Sequence, residues 1–263
     1  MRLFYRAFLL VLGLVAPGAL ALEKFAALEN LNLPMGAFEL RIPRLAVENT
    51  PLTQEALAAI FASRATTQLA ERLARFSAGR VRVPEAQARS VAGDRKNSLI
   101  FNDMQMDAVV DGRVGALTVG LLEERLREDT PSAVARYENL RASGLDLPRL
   151  ARLFADGSAA DGAPALAESA ALEKLALSAG EGAVSLAAAR LSTRRPRLGE
   201  RPENAWPHLF GEIGSETAND ILQTIAFETL EAHDLALAGH EAPAEASYAI
   251  GARDLAFEGI DKG

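Results

Sequence analysis

A short alternating phrase recurs along this chain and constrains its fold more than any other feature. Each copy has a polar residue, a large apolar residue, any residue and a second large apolar residue. The copies begin at Asn30, Asp103, Lys174 and Asp234, at intervals of 73, 71 and 60 residues. Alternation places the two apolar side chains on one face of a strand. The recurrence predicts a repeated β unit, although phrases this short also recur by chance in β proteins.

The phrases belong to longer alternating stretches that read as antiparallel hairpins. Three hairpins are predicted, over residues 100–121, 172–191 and 234–257. Asp111-Gly112 is typical of a type I′ turn, because both residues tolerate positive φ. The second hairpin is expected to turn at Gly180-Glu181-Gly182, and the third through a longer loop that contains Pro243.

Two further stretches alternate, change phase at a proline and resume. Phe38, Leu40 and Ile42 precede Pro43, and the apolar positions then move to 45 and 47. Residues 81–88 show the same change around Pro84. Because proline cannot donate to a β ladder, both stretches are expected to be edge strands or to contain bulges.

Helical spacing and capping residues predict helices between the hairpins. They are expected over residues 50–79, from Thr130-Pro131 to just before Gly144, over 148–154, and from Ser215 or Thr217 past Leu230. The Ala/Gly/Asp/Ser-rich stretch 155–169 reads as a flexible loop.

These elements together predict an α+β protein. Repeated antiparallel β-hairpins would form one curved sheet with helices packed on one face. Residues 22–263 would make a single domain of about four hairpin–helix units. The apolar residues of the phrases are then expected to be buried on the helix-facing side: Met104, Met106, Leu175, Leu177, Leu235 and Leu237.

Residues 1–21 have the order of a cleaved secretory signal peptide. Arg2 and Arg6 precede an apolar run, which Pro17-Gly18 interrupts before Ala19-Leu20-Ala21. We expect cleavage after Ala21 and a periplasmic or secreted protein. The alternative, a membrane anchor, needs about 20 apolar residues, more than this run supplies.

Composition narrows the possible partners. The chain has no cysteine, so disulfides and cysteine-ligated metals are excluded. Loss of Arg2 and Arg6 lowers the net charge from −7 to −9. Such an acidic surface argues against nucleic-acid binding, which depends on neutralising phosphates. No motif indicates a cofactor or a metal.

The sequence contains no strong catalytic signature. Three histidines, His208, His233 and His240, lack the spacing of a zinc helix or of a nucleophile–base pair. Asp103, Asp107 and Asp111 share a predicted strand face, but a four-residue step separates neighbours by about 13 Å, too far for one metal ion. We interpret them as a solvated face.

One basic cluster stands out against the acidic composition. Arg194, Arg195, Arg197 and Arg201 precede Trp206, which is the sole tryptophan. Arginine binds phosphate in a forked geometry, so these five residues are candidates for anion or lipid contact. The alternative is a solvated loop followed by a tryptophan packed on the core.

The sequence therefore predicts an exported, non-enzymatic binding or scaffolding protein of the bacterial envelope that engages a lipid or a protein. The competing hypothesis is an envelope hydrolase that uses one of the three histidines. An apolar groove without convergent polar groups would favour binding, whereas a histidine beside a carboxylate in a cleft would favour catalysis.

Overall fold

The fold is described from a computed structural model, which covers residues 25–35, 38–63, 68–90, 98–126, 133–156, 165–179, 184–198, 225–241 and 246–260. These residues form three short helices and thirteen strands. The strands are β1 Ala26–Met35, β2 Phe38–Glu48, β3 Ala78–Ser90, β4 Ser98–Val110, β5 Arg113–Leu126, β6 Ala133–Asp146, β7 Ser169–Leu172, β8 Lys174–Ala179, β9 Val184–Ala188, β10 Arg190–Arg194, β11 Arg197–Leu198, β12 Ile225–Glu241 and β13 Ala246–Ile260.

The strands join in one antiparallel sheet that follows the chain as a meander. β1 to β6 pair in sequence order. β7 and β8 both pair with β6 in a single register, with Arg141 opposite Ala171 and Tyr137 opposite Leu175. They therefore act as one long strand interrupted at Glu173. β9 and β10 form the next long strand, β12 pairs with both of them, and β13 pairs with β12.

The predicted α+β class is wrong, because helices do not cover a face of this sheet. The helices are α1 Gln54–Ile60, α2 Leu69–Leu73 and α3 Leu147–Asp156. All three lie in the first 156 residues, and the described residues after them form strands without a further helix. The antiparallel sheet itself is confirmed. No helix among the described residues is long and apolar enough to cross a membrane.

The predicted helices agree only in part with the structure. The helix over 148–154 is confirmed as α3. The helix over 50–79 is wrong in extent, since α1 and α2 are the helices among the described residues of this range and β3 begins at Ala78. Thr53 rather than Thr50 caps α1, because its side chain accepts a hydrogen bond from the Ala56 amide. The helix expected after Thr130 is strand β6, and positions 225 and 230 belong to β12. Residues 215–224 lie outside the described part.

The inward side chains of the long strands follow a spacing that alternates between two and three residues. In β4 they are Leu99, Phe101, Met104, Met106 and Val109, all apolar. This spacing averages two and a half residues, which lies between the periods of a strand and of a helix. The inward residues of β6 have the same spacing, and the segment contains helix-forming residues, so a helix was predicted there. Pairing with β5 and β8 overrides this helix propensity and makes the segment a strand.

A left-handed residue marks many of the three-residue steps. Asn30, Asp103, Asn139 and Asp234 have φ of 54°, 54°, 52° and 49° and stand just before the next inward apolar residue. Three of these four begin copies of the recurring phrase. The cross-strand pairing keeps the same register before and after these residues. Each left-handed residue therefore changes the face to which the following side chains point, without inserting an extra residue into the strand. We call this line of residues the crease.

The prolines and one glycine complete the crease on the intervening strands. Gly120 faces Asp103, and a Cβ at Gly120 would lie 3.2 Å from the Asp103 Cβ. Pro43 and Pro84 mark the predicted phase changes, with Ile42, Leu45, Val83 and Ala86 buried on either side. Neither β2 nor β3 is an edge strand, and their pairing contains no inserted residue at the prolines. The expectation of edge strands or bulges is therefore wrong.

The core lies between the inner face of β1–β5 and the helices. Its most completely buried large side chains include Phe38, Leu45, Leu57 and Phe76. Phe61 and Phe76 pack edge to face with ring centroids 5.3 Å apart. Arg72 Nη1 of α2 donates to the Ile60 and Ala62 carbonyls at the end of α1, which ties the two helices together.

Of the six phrase residues expected to be buried, Met106 and Leu175 are buried. Met104, Leu177, Leu235 and Leu237 are half-buried. Only the two methionines adjoin the core beneath the helices. The others lie where the sheet has no helix against it among the described residues.

Candidate functional site

An apolar cavity runs along the inner face of β1–β6. Its volume is about 250 Å³, and none of the lining side chains that the structure describes carries a nitrogen or an oxygen. Strand residues such as Leu33, Met104 and Val119 form the walls, and Phe61 and Leu147 close it on the helical side. Because it has no polar group, it is suited to an apolar occupant rather than to water.

The cavity is not sealed. Met35, Leu40, Leu99 and Leu122 line it at the end away from the helix-bearing strand ends, and all four are half-buried. At the opposite end, Leu73 and Ala151 are buried, but Leu69, Leu145, Leu147 and Leu150 are half-buried as well. Half-buried side chains therefore line both ends of the cavity, and we call the end where β4 and β5 lead away from the helices the open end.

A buried acid stands at this open end. Glu124 lies two residues beyond Leu122, directly across from Leu99 on β4 and from Ala135 on β6. Its side chain is only 4% exposed. Its Oε2 accepts a hydrogen bond of 3.1 Å from Tyr137 Oη. Its Oε1 is buried and has no hydrogen-bond partner in the described structure.

The surroundings of Glu124 change how it titrates. Burial disfavours the charged carboxylate and raises its pKa to about 7, although the Tyr137 hydrogen bond acts in the opposite direction. Burial, together with the nearby carboxylate, also raises the pKa of Tyr137. The pair is therefore a neutral or singly ionised hydrogen-bonded unit next to an apolar cavity.

The neighbouring acid has the opposite environment. Glu123 is also buried, but its carboxylate contacts the guanidinium groups of Arg125 and Arg136, the latter at 3.0 Å. Burial alone would raise its pKa, but these two hydrogen-bonded arginines outweigh burial and lower it. Neither arginine is available to Glu124, since consecutive strand residues point to opposite faces.

Sequence reasoning missed Glu124. A signal was present, because Val114, Leu117, Val119, Leu122 and position 124 continue the two-and-three spacing of inward residues in β5. An acid at an inward position of an otherwise apolar series is a candidate for function. The hairpin predicted from the sequence ends at residue 121, so it does not include Glu124.

The predicted basic cluster is only partly described. Arg194 and Arg195 both contact Glu228, with Arg195 Nη1 at 3.0 Å from its Oε1. Arg197 lies in β11, opposite Ala226. Arg201 and Trp206 lie outside the described residues. The anion or lipid contact of this cluster stays a prediction.

Among the three histidines, the structure describes the side chain of His233 alone. His233 Nδ1 lies 2.7 Å from Asp254 Oδ1, but the two are cross-strand neighbours of β12 and β13, with side chains 40% and 69% exposed. His240 lies in β12, and His208 is outside the described part. The described residues contain no group of three or more acids and histidines that would hold a metal.

Comparison with known proteins decides nothing further about this site. No protein-family model matches the chain, and no curated protein or solved structure is significantly similar to it. Its function is therefore argued from geometry alone.

Proposed function

We propose that this protein binds the alkyl chain of an amphiphile in the cavity of β1–β6. It would do so as an exported, non-enzymatic binding protein of the bacterial envelope. The observation that carries the proposal is a cavity of about 250 Å³ that is not sealed and whose lining side chains, in the described part of the chain, are all apolar. Of the two partners expected from the sequence, a lipid and a protein, the cavity favours the lipid.

The size of the cavity supports this choice. A cavity of about 150 Å³ lined by apolar side chains is enough to hold benzene. A protein helix, about 10 Å or more across, needs far more room. A flexible alkyl chain entering at Leu99 and Leu122 fits both the volume and the apolar walls.

The energetics of such binding are those of apolar burial. Each methylene group moved from water into the cavity contributes about 0.8 kcal/mol before the costs of association. The cavity therefore supplies affinity without any polar contact along its walls. For His233, the histidine hydrolase hypothesis receives no comparable support, because the His233–Asp254 pair lies on the surface.

The test is binding of N-phenyl-1-naphthylamine, whose fluorescence rises in apolar surroundings. We expect saturable binding by the wild type and displacement by dodecanol. Ala88→Phe places a ring in the cavity and should weaken binding at least about tenfold, because filling the site removes the apolar contacts. The matched control is Ala116→Phe, whose side chain is exposed on β5.

Circular dichroism melting of both variants checks that they fold. Equal probe affinity in the wild type and in the folded Ala88→Phe variant would contradict the proposal, and so would the absence of saturable binding by the wild type.

A further inference from the structure

The open end of the cavity carries a second recognition element. We propose that Glu124 accepts a hydrogen bond from the head group of the bound amphiphile, so that the site selects chains ending in a donor, a hydroxyl or an amine. This inference rests on the proposed function, because the alkyl chain must occupy the cavity to bring its head group to Glu124.

The position of Glu124 fits this role. Leu99 and Leu122 line the open end, and Glu124 is the cross-strand partner of the first and two residues beyond the second on the same face. It is thus the first polar side chain that β5 places on this face beyond the cavity walls. A chain held by the walls would bring its polar end to this place.

The hydrogen bonding of Glu124 is incomplete. Oε2 accepts from Tyr137 Oη, while the buried Oε1 has no partner in the described structure. A buried acceptor without a donor is costly and rare in folded proteins. When Glu124 is ionised, a ligand that supplies one donor to Oε1 would remove this cost, whereas a ligand with only acceptors would not.

The charges around Glu124 determine which donor is suitable. In the described structure, burial and the Tyr137 hydrogen bond shift the pKa of Glu124, and no charged side chain contributes to this shift. Leu99 and Ala135 face it from the flanking strands, and Arg125 and Arg136 are bound to Glu123. Among the residues that the structure describes, no cation faces Glu124 to neutralise an anionic head group, so these residues disfavour a carboxylate beside an acid that ionises near neutral pH.

The two donor classes differ in their dependence on the charge of Glu124. A protonated amine gains an ion pair when Glu124 is ionised, so its affinity should rise as the pH increases through about 7. An alcohol bonds to either form. Comparing the two across this range separates a cationic from a neutral head group.

The experiment measures displacement of N-phenyl-1-naphthylamine by four ligands with the same chain: dodecanol, methyl dodecyl ether, dodecylamine and dodecanoate. Above neutral pH, where Glu124 is ionised and can only accept, the wild type should bind dodecanol at least about tenfold more tightly than the ether, which lacks the donor. Dodecanoate should be the weakest above neutral pH. Glu124→Leu should bring the alcohol-to-ether ratio close to one.

Two further variants make the result specific. Glu124→Gln keeps an acceptor oxygen without the charge, so it should retain the preference for the alcohol and lose the pH-dependent gain for the amine. Glu123→Gln removes a neighbouring acid that points to the other face, and it should change neither preference. Calorimetry on each variant confirms folding before the affinities are compared.

The outcomes separate this inference from the proposed function. If the wild type does not bind the fluorescent probe, both fail. If it binds the probe but treats the alcohol and the ether alike, or if Glu124→Leu keeps the preference, the cavity function stands and the role of Glu124 is wrong.

Discussion

Glu123 and Glu124 are consecutive residues of β5, both buried, and their carboxyl groups titrate in opposite directions. Two arginines bind Glu123 and lower its pKa, whereas Glu124 has only Tyr137 and an apolar surrounding that raises its pKa to about 7. These two consecutive residues point to opposite faces of β5: Glu123 lies on the outer face among ion pairs, and Glu124 lies on the apolar inner face. The pair also gives two stability predictions of opposite sign.

Glu124 should make the protein less stable as the pH rises. The folded carboxyl keeps its proton up to about pH 7, whereas the unfolded one loses it near its ordinary pKa of 4.5. The folded state therefore binds more protons between these values, and stability falls across that window before levelling off. Above pH 7, Glu124→Gln should be more stable than the wild type by up to about 3 kcal/mol. Urea denaturation across the pH range measures this difference.

Glu123 should act in the reverse sense. Because its folded pKa is lowered, its contribution is present above the ordinary value of 4.5 and is lost as the pH falls below it. Glu123→Gln at neutral pH removes the charge that the exposed arginines bind, and should cost about 1–2 kcal/mol. The same urea series applies, and a variant that gains stability at neutral pH would show that the ion pairs are unfavourable.

The aromatic pair in the core should be essential to stability. Phe76 is fully buried and packs against Phe61. Phe76→Ala leaves a cavity beneath the helices and should cost about 3–5 kcal/mol. Phe257→Ala is the control, since Phe257 is 45% exposed. Thermal melting of the two variants should show a large shift for the first and little for the second.

The crease depends on backbone conformation rather than on side-chain contact. Asp103 has a φ of 54°, which glycine adopts freely and β-branched residues adopt poorly. Asp103→Gly should be close to neutral, whereas Asp103→Val should lose about 1–2 kcal/mol or more. Unfolding free energies of the two variants measure the difference. Equal stability would mean that the left-handed residue is not required for the bend.

Export of the protein is tested by its N-terminus. Residues 1–21 lie outside the described structure, and the argument for cleavage rests on Ala19-Leu20-Ala21 after a short apolar run. N-terminal sequencing of the protein from the periplasmic fraction should begin at Leu22. Recovery of the intact chain in the membrane fraction would instead indicate an anchor.

Local features were predictable where neighbouring residues alone decide the conformation. Asp111 and Gly112 adopt φ of 50° and 76°, as their dipeptide predicted, and β4 and β5 pair around them. The phase changes at Pro43 and Pro84 were also visible. The prediction that β2 and β3 are edge strands was wrong, because a proline removes the same backbone hydrogen bond from an edge strand and from an interior strand. Only the neighbouring strands distinguish the two.

The candidate site was not predictable in the same way. Asn139 and Leu140 of β6 belong to a segment whose composition favours a helix, and the strand forms because β5 and β8 offer ladders on both sides. The cavity likewise requires β1–β6 to curve around a shared space, which depends on contacts distant in the chain.

The sequence by itself determined the antiparallel strands, the turn at Asp111-Gly112 and the short helix α3, because propensity and alternation act over a few residues. Only the tertiary structure decided the order in which the strands pair, the bend at the crease and the burial of Glu124 beside an apolar cavity. The physical reason is that the burial and the hydrogen bonding of a side chain depend on residues that are distant in the chain and close in space. The same acid is an ion-pair partner at position 123 and an unpaired acceptor at position 124.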